Sequence, residues 1–398
     1  MSRARLPFLL LLALPLVACG KGAPPAPQPE PQATTASPEV KLAPPAELAP
    51  SATPTAQASA DLSEKKAAIE KIDPPKPIAV EKAAPAKSPA NAAAIAPIAL
   101  PKAVSGVLAK GVADKILVSG GAAIVRLLEP GAEPRADLSY VIAKGPAPKL
   151  GMTMDMSMNM SSGAQKNAAK LPRMGMTLDG AAAEKNDAGE WKILAHLVGI
   201  TVDGKDGGQA EQIAAAMRKQ VEAMKGLGIS YWLNPKGRVR DAKVELPKGF
   251  PASAQALVEG LNQSFESMVA PLPAEPVGLG AKWQVVSRMS ASGVDLLQSA
   301  TYTLTARDGE HATLDVAMTQ LAASDTIKSP GNPGGAVAHV KSFISGGTGT
   351  TRINTSSVVP EGGVTTMKTS VKISVSQGAE TSGESAVETL TRVELSRP

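Results

Sequence analysis

The sequence predicts an α+β protein: a strand-rich, curved antiparallel sheet of half-barrel kind with one or two amphipathic helices, preceded by a disordered tether. Three observations predict it. Beyond about residue 105 the apolar residues recur mostly with period two, the signature of half-buried strands. Two segments break that pattern with helical spacing. Between Gly20 and Pro101 the chain carries half of its 34 prolines and no aromatic residue, since none occurs between Phe8 and Tyr140.

The period-two segments follow one another along the chain. Ala122–Glu129 ends at Pro130-Gly131, and Leu138–Ile142 follows. Then comes Gly151–Met160, in which Met152, Met154, Met156, Met158 and Met160 alternate with polar residues. Trp191–Val202 continues the pattern. Tyr231–Leu233 and Arg238–Val244 flank Asn234-Pro235-Lys236-Gly237, a turn in which proline presets one dihedral and glycine accepts positive φ. Further strands are expected at Trp283–Met289, Ser299–Ala306, His311–Leu321, Gly349–Val358, Val364–Ser376 and Ala386–Leu395. The first helix, Gln209–Lys225, carries Ile213, Met217, Val221 and Met224 on one stripe, with Gly226 as its stop. The second, Ala252–Ala270, carries Leu257, Val258, Leu261, Phe265 and Met268 between Pro251 and Pro271. Each apolar stripe needs a surface to cover, and the concave face of a curved sheet supplies one.

Domain organisation follows composition. Residues 1–18 read as a signal peptide, 19–105 as a Pro/Ala-rich tether and 106–398 as the strand-rich globular domain, with a division into two subdomains expected near 271–280. The tether cannot bury enough apolar surface to offset its ordering entropy. As a coil it spans roughly 50 Å, and stiffened by proline it reaches beyond about 100 Å. Asp61–Lys71 is expected to form a transient helix within it, stopped by Pro74-Pro75.

The first residues carry an address. A basic start (Arg3, Arg5) precedes an apolar run from Leu6 to Val17, about 12 residues against the roughly 17–25 of a spanning helix. It ends in Leu16-Val17-Ala18-Cys19, which resembles the lipobox of bacterial lipoprotein signal peptides. The resemblance implies cleavage before Cys19, palmitate-type acyl chains on it, and anchoring to the membrane through them; two or more chains hold stably. Gly20 stands where an aspartate would signal inner-membrane retention. The implied place is therefore the outer membrane of a Gram-negative envelope, on its periplasmic side or at the cell surface. Cys19 is the single cysteine, so the mature chain has no disulfide and no thiolate metal site.

A second resemblance rests on Pro273-Ala274-Glu275-Pro276-Val277-Gly278-Leu279-Gly280-Ala281-Lys282-Trp283, together with the Asn-Pro-Lys-Gly strand pair and the helix between them. This order is similar to an uncharacterised family of bacterial exported proteins and lipoproteins, over about residues 120–398. It implies no activity. The architecture is also similar, at the level of fold alone, to half-barrel carriers that shuttle lipids or lipoproteins across the periplasm.

Among candidate chemistries, the methionine strand stands out. Its residues project to one face, and Met174 and Met176 are expected on a neighbouring strand. Core filling is the first reading of such a face, because methionine is a flexible, polarizable filler. The second is the lining of an apolar ligand groove, made by Met152–Met160 with Leu257, Leu261 and Phe265. Copper(I), which favours thioethers, comes last. His196, His311 and His339 are far from the run and from one another, so no metal or cofactor is expected. Nucleophilic catalysis has no support: no Gly-x-Ser-x-Gly elbow occurs, and the one thiol is acylated. Gly346-Gly347-Thr348-Gly349-Thr350-Thr351-Arg352 imitates a phosphate cradle, but it lacks the Gly-Lys-Ser/Thr ending and reads as a loop or bulge. A net charge of +5 with a pI near 9.1, without a basic stripe interleaved with aromatics, points away from nucleic acid. The expected function is a lipid-anchored, non-catalytic binding or structural module held off the outer membrane, with a lipid, an envelope polymer or an envelope protein as partner. The alternative is a carrier or sensor of a hydrophobic ligand.

Overall fold

The structure, a computed structural model, describes residues 95–398 apart from 205–207, 248–249, 251–268, 292, 328–336 and 378–379. The signal peptide, Cys19, the tether to residue 94 and the 61–71 helix lie outside the described residues. So does the second expected helix, apart from Val269 and Ala270.

The described elements are β1 (Ile124–Glu129), β2 (Gly145–Pro146), β3 (Leu150–Ser162), β4 (Gln165–Lys170), β5 (Arg173–Lys185), β6 (Trp191–Asp203), α1 (Gly208–Glu222), β7 (Gly228–Leu233), β8 (Val239–Glu245), β9 (Lys282–Ala291), β10 (Val294–Asp308), β11 (His311–Ala322), β12 (Thr326–Ile327), β13 (Val337–Asn354), β14 (Gly362–Gln377) and β15 (Glu380–Ser396). All fifteen strands form one open antiparallel sheet. Its order is β1-β9-β10-β11-β13-β14-β15-β3-β5-β6-β7-β8, with β12 beside β13, β2 beside β5 and β4 beside β3. The protein is thus mostly β. The α+β expectation holds in its strand-rich part, while the described residues contain a single α-helix.

The two flanks of the sheet share one core. Leu127, Trp283, Val285, Leu304 and Leu314 from the β1–β11 flank lie in the same buried cluster as Leu178, Ile193, Leu197, Ile229, Tyr231 and Leu233 from the β5–β7 flank. Helix α1 adds Ala214, Met217 and Val221 from its apolar stripe. Between the flanks, segment 269–281 is packed with Val269, Leu272, Val277 and Ala281 all buried. The stretch 271–280, where a subdomain boundary was one expectation, therefore runs through this shared core.

The motif residues make that junction. The Trp283 indole N–H donates to the Pro271 carbonyl at 2.8 Å, and the ring stacks on Tyr302 with centroids 5.7 Å apart. Gly278 lies against the backbone of residues 132–134, where a Cβ would overlap the Ala132 carbonyl. Ala136 and Val277 exchange backbone hydrogen bonds of 3.0 and 3.1 Å. The Asn234–Gly237 turn closes the other side. Asn234 Oδ1 accepts from the amides of Lys236 and Arg238. The Pro235 carbonyl accepts from Tyr140 N, and the Lys236 carbonyl accepts from Leu272 N. Gly237, at φ +75°, has no room for a Cβ against Ala270 and Tyr140.

Three expectations need correction. Leu138–Ile142 is not a ladder strand. Its Leu138 and Tyr140 are buried as the alternation suggests, but its backbone is used by the Pro235 and Thr355 carbonyls, in a connector between two loops. Gly346–Arg352 is not a loop; it is the interior of β13. Strands β4 and the C-terminal half of β5 were not foreseen, because Gln165–Lys170 and Gly180–Lys185 carry little apolar or β-branched character.

Packing also reaches back into the compositional tether. Ile98 and Gln284 exchange hydrogen bonds of 2.7 and 2.9 Å, and Ile98 and Leu100 pack on a second cluster with Val286 and Leu297. Residues 105–108 run between β11 and β13: Phe343 N donates to Ser105 O, Leu108 N to Ala322 O and Ala322 N to Gly106 O. At Gly106, φ is +71° and a Cβ would overlap the Phe343 carbonyl. Gly111, at φ +77°, has open space around it. Gly106→Ala should therefore lower stability by about 3 kcal/mol or more, against roughly 1 for Gly111→Ala. Urea midpoints with unchanged slopes will check this, and equal costs at the two sites would refute the close-approach account.

Candidate functional site

The methionine face is built by register. Directly opposed residues in antiparallel strands share a face, so continuous rows can be followed across the sheet. One row reads Val285, Ala300, Met318, Gly347, Met367, Thr391, Met156 from β9 to β3. The row on one side reads Trp283, Tyr302, Val316, Gly349, Thr365, Val393, Met154, and passes on to Met174 and Val202. Next to it lie Leu304, Leu314, Thr351, Gly363, Leu395, Met152, Met176 and Ile200. On the far side, Met289 opposes Leu296, and beyond the intervening residues 105–108 the series Phe343, Val371, Val387 and Met160 continues on the same face.

Ten of the chain's 14 methionines thus stand on a single face. The other four are Met1, Met217, Met224 and Met268. No charged residue occurs in any of these rows. The expectation that Met174 and Met176 neighbour the methionine strand holds: Met174 opposes Met154 and Met176 opposes Met152. Met158 is buried, and Met152, Met154, Met156 and Met160 are half-buried. Leu257, Leu261 and Phe265, the other expected members of the face, lie outside the described residues.

A single polar row crosses the apolar ones. Gln298, Gln320, Ser345, Thr369, Thr389 and Met158 oppose one another on successive strands. Gln320 Nε2 donates to Gln298 Oε1 at 2.8 Å, Ser345 Oγ donates to Gln320 Oε1 at 2.8 Å, and Ser345 Oγ lies 2.8 Å from Thr369 Oγ1. Gln320 and Ser345 are both buried, and their mutual bonds meet the need of buried polar groups for partners. Where the face meets the core, burial pushes the Tyr302 hydroxyl up to about 12.

On β3, β14 and β15 the reverse face is polar. It carries Asp155, Lys368, Lys372, Glu388, Arg392 and Glu394 with serines and threonines between them. Among the described residues no helix is long and apolar enough to cross a membrane.

Elsewhere the groups are dispersed. His196, His311 and His339 stand on β6, β11 and β13, with His311 Nδ1 3.0 Å from Glu361. Among the described residues no three His, Cys, Asp or Glu side chains form a metal-holding group. A cavity of about 170 Å³ between Ile142–Pro148 and Asn354–Val358 is smaller than the roughly 300–1,000 Å³ of small-molecule sites. Compared with known proteins, the chain matches no family model and no curated protein sequence.

Asp155 tests the polar side of the strand. Arg173 donates to both its oxygens at 2.8 Å, and this hydrogen-bonded guanidinium holds the carboxyl below its ordinary range. A depressed folded-state pKa adds stability above the unfolded-state value, and that increment is lost as pH falls through the folded one. The melting temperature of the wild type should therefore fall more steeply below about pH 4 than that of Asp155→Asn. Parallel acid limbs would show the pair to be without effect.

Proposed function

We propose that the protein is a non-catalytic binding module of the bacterial envelope, anchored by acyl chains on Cys19 and held off the outer membrane by the proline-rich segment between Cys19 and the docked residue Ile98. Its strand-rich part acts as a half-barrel whose methionine face receives an apolar ligand, in the manner of a carrier or sensor. One observation carries this reading: four adjacent rows and the interrupted one beside them contain ten methionines and no charge. A core filled for stability alone favours side chains with few rotamers, whereas methionine adapts to ligands of variable shape. The opposite face carries charge on β3, β14 and β15. The reading adds no catalytic role and no cofactor.

Native mass spectrometry of protein extracted from its own membranes tests the ligand. An apolar species that co-purifies and is released on denaturation is the expected result. A clean apo mass, together with no uptake of a fluorescent long-chain acyl probe, would leave a purely structural module. The anchor is tested separately by labelled palmitate, which should enter the wild type and not Cys19→Ala; an unlabelled wild type would overturn it.

A further inference from the structure

Two cross-strand methionine pairs stand side by side where β3 meets β5: Met152 opposite Met176, and Met154 opposite Met174. Opposed Cβ atoms are about 5 Å apart, and residues two apart on a strand are separated by about 6.7 Å. The four Cβ atoms therefore mark a small rectangle on one face. Each side chain has three rotatable bonds, enough for its sulfur to swing over the middle.

The surroundings select the chemistry. The same two rows continue to Leu395 and Val393 on one side and to Ile200 and Val202 on the other, so they contribute no nitrogen or carboxylate donor. The nearest carboxylate on the strand, Asp155, points to the reverse face and is taken by Arg173. All four methionines are half-buried, while Leu150, on the same face of the same strand, is fully buried. Core packing accounts for Met174 and Met176, which rest against the main cluster. It asks for no sulfur at Met152 and Met154, whose neighbours on β15 are Leu and Val.

A neutral group of soft sulfur donors in aliphatic surroundings suits a soft monovalent cation and disfavours hard ions that need oxygen ligands. We propose that Met152, Met154, Met174 and Met176 form a binding site for Cu(I). Binding is coordination alone: each sulfur donates a lone pair, no covalent bond breaks, and the metal stays Cu(I) throughout. The inference stands apart from the apolar-ligand reading and does not depend on it.

The full chain is titrated anaerobically with Cu(I) against a chromogenic Cu(I) chelator, at about pH 5.5 and about pH 7.5. Thiol and imidazole ligands must lose protons to bind, but thioethers have none to lose. The expected result is one Cu(I) per chain with the same affinity at both pH values, retained in Cys19→Ser. X-ray absorption should show a first shell of sulfur alone. Met152→Leu/Met154→Leu and Met174→Leu/Met176→Leu conserve volume and should fold, as circular dichroism will check. Loss of direct ligands should weaken binding at least as much as the roughly 10–100-fold known for outer-shell partners. Absence of Cu(I) binding, nitrogen or oxygen in the first shell, or unchanged affinity in whichever Leu variant folds would overturn the site.

Discussion

Trp283 is where the two flanks of the sheet are tied together. In the sheet order β9 is second and β7 is second from the other end, so a flat arrangement would keep them many strands apart. They share a core because segment 269–281 lies between them. That segment has buried peptide groups, and buried peptide groups need partners. Pro271 offers its carbonyl to the Trp283 indole, Leu272 gives its amide to Lys236, and Val277 pairs with Ala136. Each bond comes from a different part of the chain, so the docked segment joins parts far apart in sequence. Residues 271–283 thus make this joint. Their specificity is architectural: Val277 and Trp283 fill space, and Gly278 gives up a side chain so that two backbones can touch.

Curling strains the middle of the sheet, and glycine relieves it. Gly347, Gly349 and Gly363 stand on the methionine face in three adjacent rows. A Cβ at Gly347 would press on Thr366 and Met367, and one at Gly363 on Thr350 and Thr351. Strand glycines mark bends and close approaches, and these three let β13 and β14 approach on the concave side. The cost of an unprotected edge is met separately. On edge strand β8, Arg240, Asp241 and Lys243 are charged and exposed, and Asp241, at φ +53°, sits in a bulge opposite Tyr231, both devices that discourage pairing with other chains.

Much of this was legible in the sequence where the physics is local. The Asn234–Gly237 turn, α1 and the long alternating strands follow from residues within a few positions of each other. The glycines of β13 misled for the same reason: locally they signal a loop, and only their partners on β11 and β14 show them to be a bend. Leu138–Ile142 misled in the opposite sense, since its alternation is real but its hydrogen bonds go to turns. For the site, the common face of Met152–Met160 was legible from period two. The opposition of Met154 to Val393 was not, because register is set by long-range pairing, here between strands more than 200 residues apart in the chain.

The composition of the face then follows from its position. Rows that cross from the closed core into the middle of the sheet pass from rigid to adaptable side chains. Trp283, Tyr302 and Val316 stand at the core end, and Val393 leads to Met154 and Met174 at the other. β-Branched and aromatic residues hold a fixed shape, which suits the joint. Methionine holds a variable one, and it is concentrated where the sheet is half-buried and uncharged. Stability alone would place adaptable side chains at random among buried positions. Ten of the 14 methionines stand on one face, while Met217 and Met224 fill the shared core and Met174 and Met176 rest against it.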